Sequence, residues 1–281
     1  MQSWILRNGR VLTRDRRGPK GCPMELHCGS VKARFAPAEG GRLASLTVGG
    51  AEVLVSRPGL ATEWGCYPMV PWAGRTRNGR FTWDERTFEL PKNLAPHALH
   101  GTVFTKKWIT TGPDSMACAL GDGWPWKGEV RSKVALMQDR LRWTLTVYAE
   151  KDAFPAVVGW HPWFRRVVEG QGEACLHFDP VSMLERDEHG IATMNRVRPT
   201  PRPWDDSFPD PSEPPRLSWP GGLVLTIESS CTNWVVYDEP AHAICIEPQS
   251  GPPDALNLGL YEVVEPGRPV THHMEMAWSQ H

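Results

Sequence analysis

The stretch LRWTLTVYA, residues 141–149, decides the fold class because its apolar and polar residues alternate. One face of an extended chain would carry the apolar side chains Leu141, Trp143, Leu145 and Val147. A period of two is typical of a half-buried β-strand, with one face in a core and the other facing solvent.

Short strands separated by turns are predicted on both sides of this stretch. Gly49-Gly50 divides the β-rich run at residues 45–55, which predicts a two-residue hairpin. Residues 221–230 and 233–248 supply three more strands, and no stretch of a dozen residues has a helical period. Strands at this spacing predict an all-β fold, a large antiparallel β-sandwich with very little helix.

Two longer loops are expected, at residues 121–130 and in the proline-rich segment 198–222. Trp204, Phe208 and Trp219 predict that the second loop packs against the rest of the protein. No repeat or low-complexity segment separates domains, so residues 24–281 are expected to form one domain. Residues 1–23 are rich in arginine and predict a basic, flexible extension.

Composition excludes several classes of function. The net charge of −1 over 281 residues gives no long-range field, so neither nucleic acid nor a membrane is expected as a partner. The seven cysteines form no CxxC pair, which favours reduced thiols in a cytoplasm over a disulfide framework or a zinc site. GxGxxG, Walker-type, HExxH and GxSxG motifs are absent.

His161 lies in VVGWHPWFRR, between two tryptophans and directly before Pro162. The proline favours an extended backbone at His161, and the tryptophans could shield its ring from water. Two interpretations stay open at this point. His161 is either a hydrogen-bonded histidine of an aromatic core or an acid–base group in a pocket.

Glu247 ends the apolar run Ala-Ile-Cys-Ile, where a carboxylate is costly to bury without a partner. It either points outward or serves a function, and burial would raise its pKa and make it a stronger base. The HxxH spacing of His97 and His100 allows a metal site, but no third ligand is close in the sequence, so a neutral hydrogen-bond donor is favoured. Asp205-Asp206 could simply form a turn.

Five segments in order resemble the aldose 1-epimerase (mutarotase) family. They are APAEGGRLASLTVGG, GRTRNGRF, HALHG, GWHPWF and IEPQSGPPDALN. The resemblance extends from about residue 31 to beyond residue 257 and implies the galactose mutarotase-like supersandwich. The 14 tryptophans fit either a β core or sugar stacking.

The resemblance implies interconversion of the α and β anomers of a free aldohexose. His161 would protonate the ring oxygen as general acid, and Glu247 would take the proton of the C1 hydroxyl as general base. Arg75, His100 and Asp205 would hold sugar hydroxyls, Asp205 through an Asp-x-x-Phe pattern. The resting pair is expected as carboxylate and imidazolium, each keeping the other charged. No metal, no cofactor, a small-molecule sugar partner, a cytoplasmic location and a monomer or homodimer are expected.

Departures from the family pattern leave the sugar open. Gly74 stands where the family often has asparagine, Thr102 replaces a glycine, and Trp163 replaces a tyrosine. One alternative is a hexose-6-phosphate 1-epimerase of the same fold, which needs a cationic clamp for the phosphate. Its candidate cations are Arg77, Arg80, Lys106, Lys107, Arg165 and Arg166. Another alternative is a sugar-binding module without turnover.

Overall fold

The structure is a computed structural model that describes residues 23–56, 59–209 and 211–280. The predicted flexible extension at residues 1–23 lies, except for Pro23, outside the described residues. The single-domain prediction for residues 24–281 stays a prediction. In the described part of the chain, no helix has the length and apolar character that crossing a bilayer requires.

Strands dominate the described residues, and helix is confined to short turns. The strands are β1 (Met24–Cys28), β2 (Val31–Ala36), β3 (Arg42–Val48), β4 (Ala51–Glu52), β5 (Cys66–Met69), β6 (Arg75–Thr76), β7 (Arg80–Trp83), β8 (Arg86–Glu89), β9 (Ala98–Leu99), β10 (Ile109–Gly112), β11 (Ser115–Ala119), β12 (Gly128–Leu136), β13 (Arg140–Ala149), β14 (Phe154–Ala156), β15 (Gly159–Arg165), β16 (Val167–Val168), β17 (Gly172–Glu173), β18 (Cys175–His177), β19 (Met183–Arg186), β20 (Ala192–Val197), β21 (Asp205–Pro209), β22 (Arg216–Ser218), β23 (Leu223–Ser229), β24 (Asn233–Tyr237), β25 (Ala243–Gln249), β26 (Glu262–Val264) and β27 (Val270–Gln280). The helical turns are α1 (Ala255–Leu258) and the 3₁₀ turns Pro37–Glu39 and Arg77–Gly79.

Two large antiparallel sheets organise the described residues. The first sheet has the order β1-β2-β3-β5-β15-β25-β24-β21, with β4 paired to β3. The second sheet has the order β10-β11-β12-β13-β27-β23-β22-β18. Small two-stranded ribbons, such as β6-β9 and β19-β20, connect these strands. The predicted all-β sandwich with very little helix is confirmed.

Side chains of the two sheets meet in a continuous apolar core. Trp143 of β13 is fully buried and contacts Phe35 edge-on, with ring centroids 5.0 Å apart. Trp143 also lies 6.5 Å from the ring of Trp160 in β15. Phe35 and Trp160 belong to the first sheet and Trp143 to the second, so these aromatic contacts stabilise the interface between the sheets.

Strand β25 of the first sheet is covered on both of its faces. Every residue of β25 is buried, although neighbouring side chains along a strand point to opposite faces. Ile244 and Ile246 belong to the large core cluster, whereas Cys245 belongs to a smaller cluster with Tyr67 and Trp163. Polar residues of β25 that share the face of Cys245 therefore lie in a second covered region, outside the main core.

The structure confirms one predicted hairpin and corrects one predicted loop. Val48 pairs with Ala51 across Gly49-Gly50, as the two-residue turn requires. The segment 198–222 is not a structureless loop, because it contains β21 and β22. Strand β21 pairs with β24. The prolines around it interrupt the alternating pattern by which a strand is predicted from sequence. Trp204, Phe208 and Trp219 are buried, as predicted.

Arg42 is a fully buried cation at the start of β3. Its guanidinium donates to the carbonyl oxygens of Glu39, Trp64, Ala61 and Phe104, at 2.7, 2.9, 2.9 and 3.2 Å. The guanidinium also lies 4.3 Å above the ring of Trp64. One side chain thereby joins β3 to two segments that are distant in the sequence, residues 61–64 and Phe104.

We predict that Arg42→Met destabilises the protein by about 3–5 kcal/mol, because it leaves several buried carbonyl groups without donors. Arg42→Lys should recover part of the loss, since an ammonium replaces some of the donors. Urea unfolding measures the free energy, with Arg131→Met at an exposed site as the matched control. Equal unfolding midpoints for Arg42→Met, Arg131→Met and the parent would contradict this role.

Candidate active site

Neighbouring strands β15 and β25 bring His161 and Glu247 together. Gly159 pairs with Gln249 and Trp163 pairs with Cys245, so the residues midway between these pairs face each other. His161 Nε2 lies 3.2 Å from Glu247 Oε1. The two residues are only 5% and 3% exposed. Sheet register therefore produces a buried imidazole–carboxyl contact on the face away from the main core.

Aromatic rings hold the imidazole of His161 in one orientation. Tyr67 stacks against the imidazole at 4.8 Å, and Trp163 stacks against it at 5.5 Å with an interplanar angle of 4°. His100 meets the ring edge-on at 5.1 Å. Trp160 contacts Trp143 in the main core instead, because consecutive residues of a strand point to opposite faces. Only one of the two flanking tryptophans therefore shields His161 directly.

Burial changes the acid–base balance of the pair. Desolvation raises the pKa of Glu247 well above its ordinary value, and the nearby Asp205 carboxylate raises it further. Desolvation lowers the pKa of His161 well below its ordinary value, with a smaller effect from His100. Burial therefore opposes the expected carboxylate–imidazolium state, which the close contact favours. The carboxylate–imidazolium and carboxylic acid–imidazole states contain the same single proton, so the balance of burial and contact decides which group carries it.

Arg75, His100 and Asp205 lie around this pair. Strand β6 pairs with β9, with Arg75 opposite Leu99, so His100 follows directly beside the arginine segment. The backbone N–H of His100 donates to the Gly74 carbonyl at 3.0 Å. Arg75 Nη2 lies 3.7 Å from Asp205 Oδ2. The charge of Arg75 affects the pKa of both Glu247 and His100, so the structure brings all five predicted site residues into one region.

His97 has a different place from His100. Its Nδ1 accepts a hydrogen bond from the Asn78 backbone N–H at 3.1 Å, which fixes the turn before β7. Within residues 23–56, 59–209 and 211–280, no group of three or more His, Cys, Asp or Glu side chains is arranged to hold a metal ion. His97 thus holds a backbone turn through its ring, whereas the ring of His100 lies against His161.

Asp254 and Gln249 are site residues that sequence reasoning missed. The Asp254 backbone N–H donates to the Arg75 carbonyl at 2.7 Å, and its Oδ1 accepts from the Arg77 N–H at 2.8 Å. Gln249 Nε2 donates to Glu247 Oε2 at 3.2 Å. Both residues stand in the quoted segment IEPQSGPPDALN, but their burial depends on contacts with distant strands and leaves no local signal.

None of the five residues lines an open cleft of about 540 Å³ whose wall includes Arg186 and Gly190. Gly190 lines the cleft and accepts a hydrogen bond from Arg75 Nη1 at 3.3 Å. Arg186 lines it as well and contacts Asp205 Oδ2 at 3.4 Å. Arg75 and Asp205 thus each contact a residue of the cleft wall.

The profile of the aldose 1-epimerase family matches residues 29–211. The chain belongs to the aldose 1-epimerase family. The resemblance inferred from five short segments is confirmed, and the family is of the isomerase class.

Known relatives agree with this assignment. Over 114 residues, 38% of this chain, the sequence is 31% identical to the uncharacterised protein YphB of Escherichia coli (strain K12). The match spans 39% of the length of YphB. The solved structure of a candidate aldose 1-epimerase of Escherichia coli K12 has a TM-score of 0.79 at 22% identity, covering 92% of this chain and 99% of its own.

A galactose mutarotase-like protein of Clostridium acetobutylicum has a TM-score of 0.82 at 16% identity, covering 92% of this chain and 95% of its own. At these identities the solved structures show a shared fold. The chemistry must be argued from the residues of this chain.

We predict that the imidazole of His100 stays neutral at physiological pH, because burial and the Arg75 charge lower its pKa to about 3. A ¹H–¹³C NMR titration of labelled histidines measures the ring signals, and His100→Gln assigns the His100 resonance. The His100 signal should not shift between about pH 5 and pH 8, the range in which an ordinary histidine titrates. A midpoint near the ordinary value would contradict the described environment.

Proposed function

We propose that this protein interconverts the α and β anomers of a free aldohexose, with His161 and Glu247 as the acid–base pair. The single observation that carries the proposal is the buried contact of 3.2 Å between His161 Nε2 and Glu247 Oε1. A pair that shares one proton can give a proton to one oxygen of the substrate while it takes one from another.

Ring opening needs two proton transfers at oxygens that are both bonded to C1. Glu247, as carboxylate, removes the proton of the O1 hydroxyl, and His161, as imidazolium, donates a proton to the ring oxygen O5. The C1–O5 bond breaks and O1 becomes the aldehyde oxygen. The pair is then a carboxylic acid and a neutral imidazole, so its total proton number has not changed.

Ring closure on the other face of the aldehyde reverses these transfers. After rotation about C1–C2, His161 takes the proton of the O5 hydroxyl while O5 attacks C1. Glu247 returns its proton to O1, which restores the starting pair. The reaction changes no oxidation level, so it requires no redox cofactor, and the acid–base pair supplies both proton transfers.

Arg75, His100 and Asp205 are proposed to hold the sugar hydroxyls. Their chemistry is complementary: a cation donates, a carboxylate accepts, and a neutral imidazole does either. Since the pKa of His100 is lowered to about 3, its ring is available to sugar hydroxyls without adding positive charge beside His161. Orientation of the sugar by such contacts is a large part of what a proton-transfer site contributes.

Most of the candidate cations for a phosphate clamp already contact other groups of the protein, which argues against a phosphorylated substrate. Within the described residues, five of the six candidate cations contact carboxylates or backbone carbonyls of the protein, namely Arg77, Arg80, Lys106, Arg165 and Arg166. The sixth, Lys107, is exposed. No observation favours a phosphate clamp beside Glu247, so a free sugar is the better supported substrate.

The pair also argues against a sugar-binding module without turnover. A binding module has no use for a buried imidazole–carboxyl contact, which is costly to desolvate and adds no shape for recognition. Stacking of Tyr67 and Trp163 against the His161 ring further restrains the imidazole whose Nε2 lies 3.2 Å from Glu247 Oε1.

We expect Glu247→Gln and His161→Asn each to lower the catalysed rate by about 10²–10⁴-fold, because each removes one proton-transfer group. Exchange NMR between the anomers of glucose and galactose measures the rate. Arg131→Met, at an exposed site, is the control and should match the parent.

Glucose 6-phosphate is included in the same assay and should exchange no faster than glucose. Rates of both pair variants equal to the parent rate would refute the catalytic assignment. Faster exchange of the phosphate ester would redirect the proposal to the phosphorylated sugar.

A further inference from the structure

A row of buried polar side chains continues behind Glu247. Gln249 is fully buried, and its Nε2 donates to Glu247 Oε2 at 3.2 Å. Asn233 of β24 pairs with Gln249 across the sheet and is 4% exposed. Ser207 Oγ of β21 donates to Asn233 Oδ1 at 3.0 Å. Polar contacts thus run from His161 through Glu247 to Gln249, and a separate hydrogen bond joins Ser207 to Asn233, on one face of four neighbouring strands.

Two atoms of this row have no hydrogen-bond partner in the described part of the chain. They are Gln249 Oε1, which is an acceptor, and Asn233 Nδ2, which is a donor. Buried polar atoms are almost always paired, and an unpaired one is costly in a region of low dielectric constant. Because the two residues are cross-strand partners, the unpaired acceptor and the unpaired donor belong to adjacent side chains.

The orientation of the Gln249 amide follows from its contact with Glu247. The amide oxygen cannot face the carboxyl group at this distance when Glu247 is ionised, because two acceptors would meet. Nε2 therefore faces Glu247 and Oε1 faces away from it. One O–H group can satisfy both unpaired atoms at once, since it donates to Gln249 Oε1 and accepts from Asn233 Nδ2.

We propose that Asn233 and Gln249 bind one O–H group, of a water molecule or a sugar hydroxyl, and thereby hold the Gln249 amide in the orientation that positions Glu247. Gln249 is a positioning residue that occupies Oε2 of Glu247. Oε1 is left for His161 and for the substrate. The consequence for catalysis rests on the proposed function, whereas the binding site itself does not.

Several titratable or charged groups interact with Glu247, so its pKa depends on them as well as on Gln249. They are His161, Asp205, Arg75, Tyr67, Cys245 and Cys66. Besides these groups, Gln249 contacts Glu247. It donates to the carboxyl oxygen Oε2, whereas His161 lies against Oε1. Loss of that donor should raise the pKa of Glu247, since the bond stabilises the carboxylate.

Crystal structures at high resolution, without sugar and with galactose, test the site directly. We expect an oxygen atom within hydrogen-bond distance of both Asn233 Nδ2 and Gln249 Oε1. An oxygen present without sugar identifies a water site, and one present only with galactose identifies a sugar hydroxyl. Direct contact between the two amides, or no oxygen at the site in either structure, overturns the proposal.

Substitution of Gln249 tests its effect on Glu247. Gln249→Met keeps the length of the side chain and removes its donor, and Gln280→Met makes the same change at an exposed position of the second sheet. A ¹³C NMR titration of labelled glutamate, assigned with Glu247→Gln, should show a higher pKa for Glu247 in Gln249→Met alone. Asn233→Ser, a milder change, should shift it in the same direction by less.

Anomer exchange is measured on the same variants. Gln249→Met should lower kcat/KM by about 10–100-fold through loss of one hydrogen bond to a charged group, and it should move the alkaline fall of activity to higher pH. An unchanged Glu247 titration in a folded Gln249→Met protein overturns the positioning role. Absence of exchange activity in the parent would refute the proposed function instead, while the titration and the crystal structures still decide this inference.

Discussion

A buried contact between one imidazole and one carboxyl group, packed against aromatic rings, is the interaction on which the proposed chemistry depends. Neither group of the His161–Glu247 pair is ionised easily on its own in this setting, because burial lowers one pKa and raises the other. Contact at 3.2 Å compensates by favouring opposite charges. The two opposing effects bring the carboxylate–imidazolium and carboxylic acid–imidazole states closer in free energy. Opening of a sugar ring converts the first state into the second.

The β-sandwich supplies the geometry that this contact needs. A residue of a strand faces the main core or the opposite side according to its parity, so the apolar Ile246 and Trp160 pack into the core beside their polar neighbours. Glu247 and His161 lie on the other face, where β6, β9 and α1 bring the arginine and histidine segments near them. Asp254 then joins two segments of the site, since it binds the backbone at both Arg75 and Arg77.

Sequence alone predicts what repeats locally. The alternation at residues 141–149 predicts a strand with Trp143 inside, and the Gly49-Gly50 turn defines a hairpin, since both depend on neighbouring residues. The strand at Asp205–Pro209 was not predicted. Its partner β24 is separated from it in the sequence by the paired strands β22 and β23, and prolines surround it. The site residues were predicted from the resemblance to a family. The distances between their side chains depend on the register between strands that are far apart in the sequence, so they could not be predicted.

Partners of individual atoms were beyond prediction for the same reason. Nothing near Gln249 in the sequence indicates that its amide binds Glu247, and nothing near Arg42 indicates that its guanidinium serves four carbonyl groups. Both arrangements appear only when strands and loops from distant parts of the chain pack together. Residues that position the site are thus less visible in sequence than residues that face the substrate.

The most direct measurement of the central claim is the proton count of the His161–Glu247 pair as a function of pH. NMR of ¹⁵N-labelled histidine follows the ring nitrogens of His161, and ¹³C-labelled glutamate follows the Glu247 carboxyl group. The account predicts one proton on the pair from about pH 5 to pH 8, moving between the two groups only when sugar binds. Loss of that proton near the ordinary histidine pKa, with Glu247 already ionised, would contradict the account.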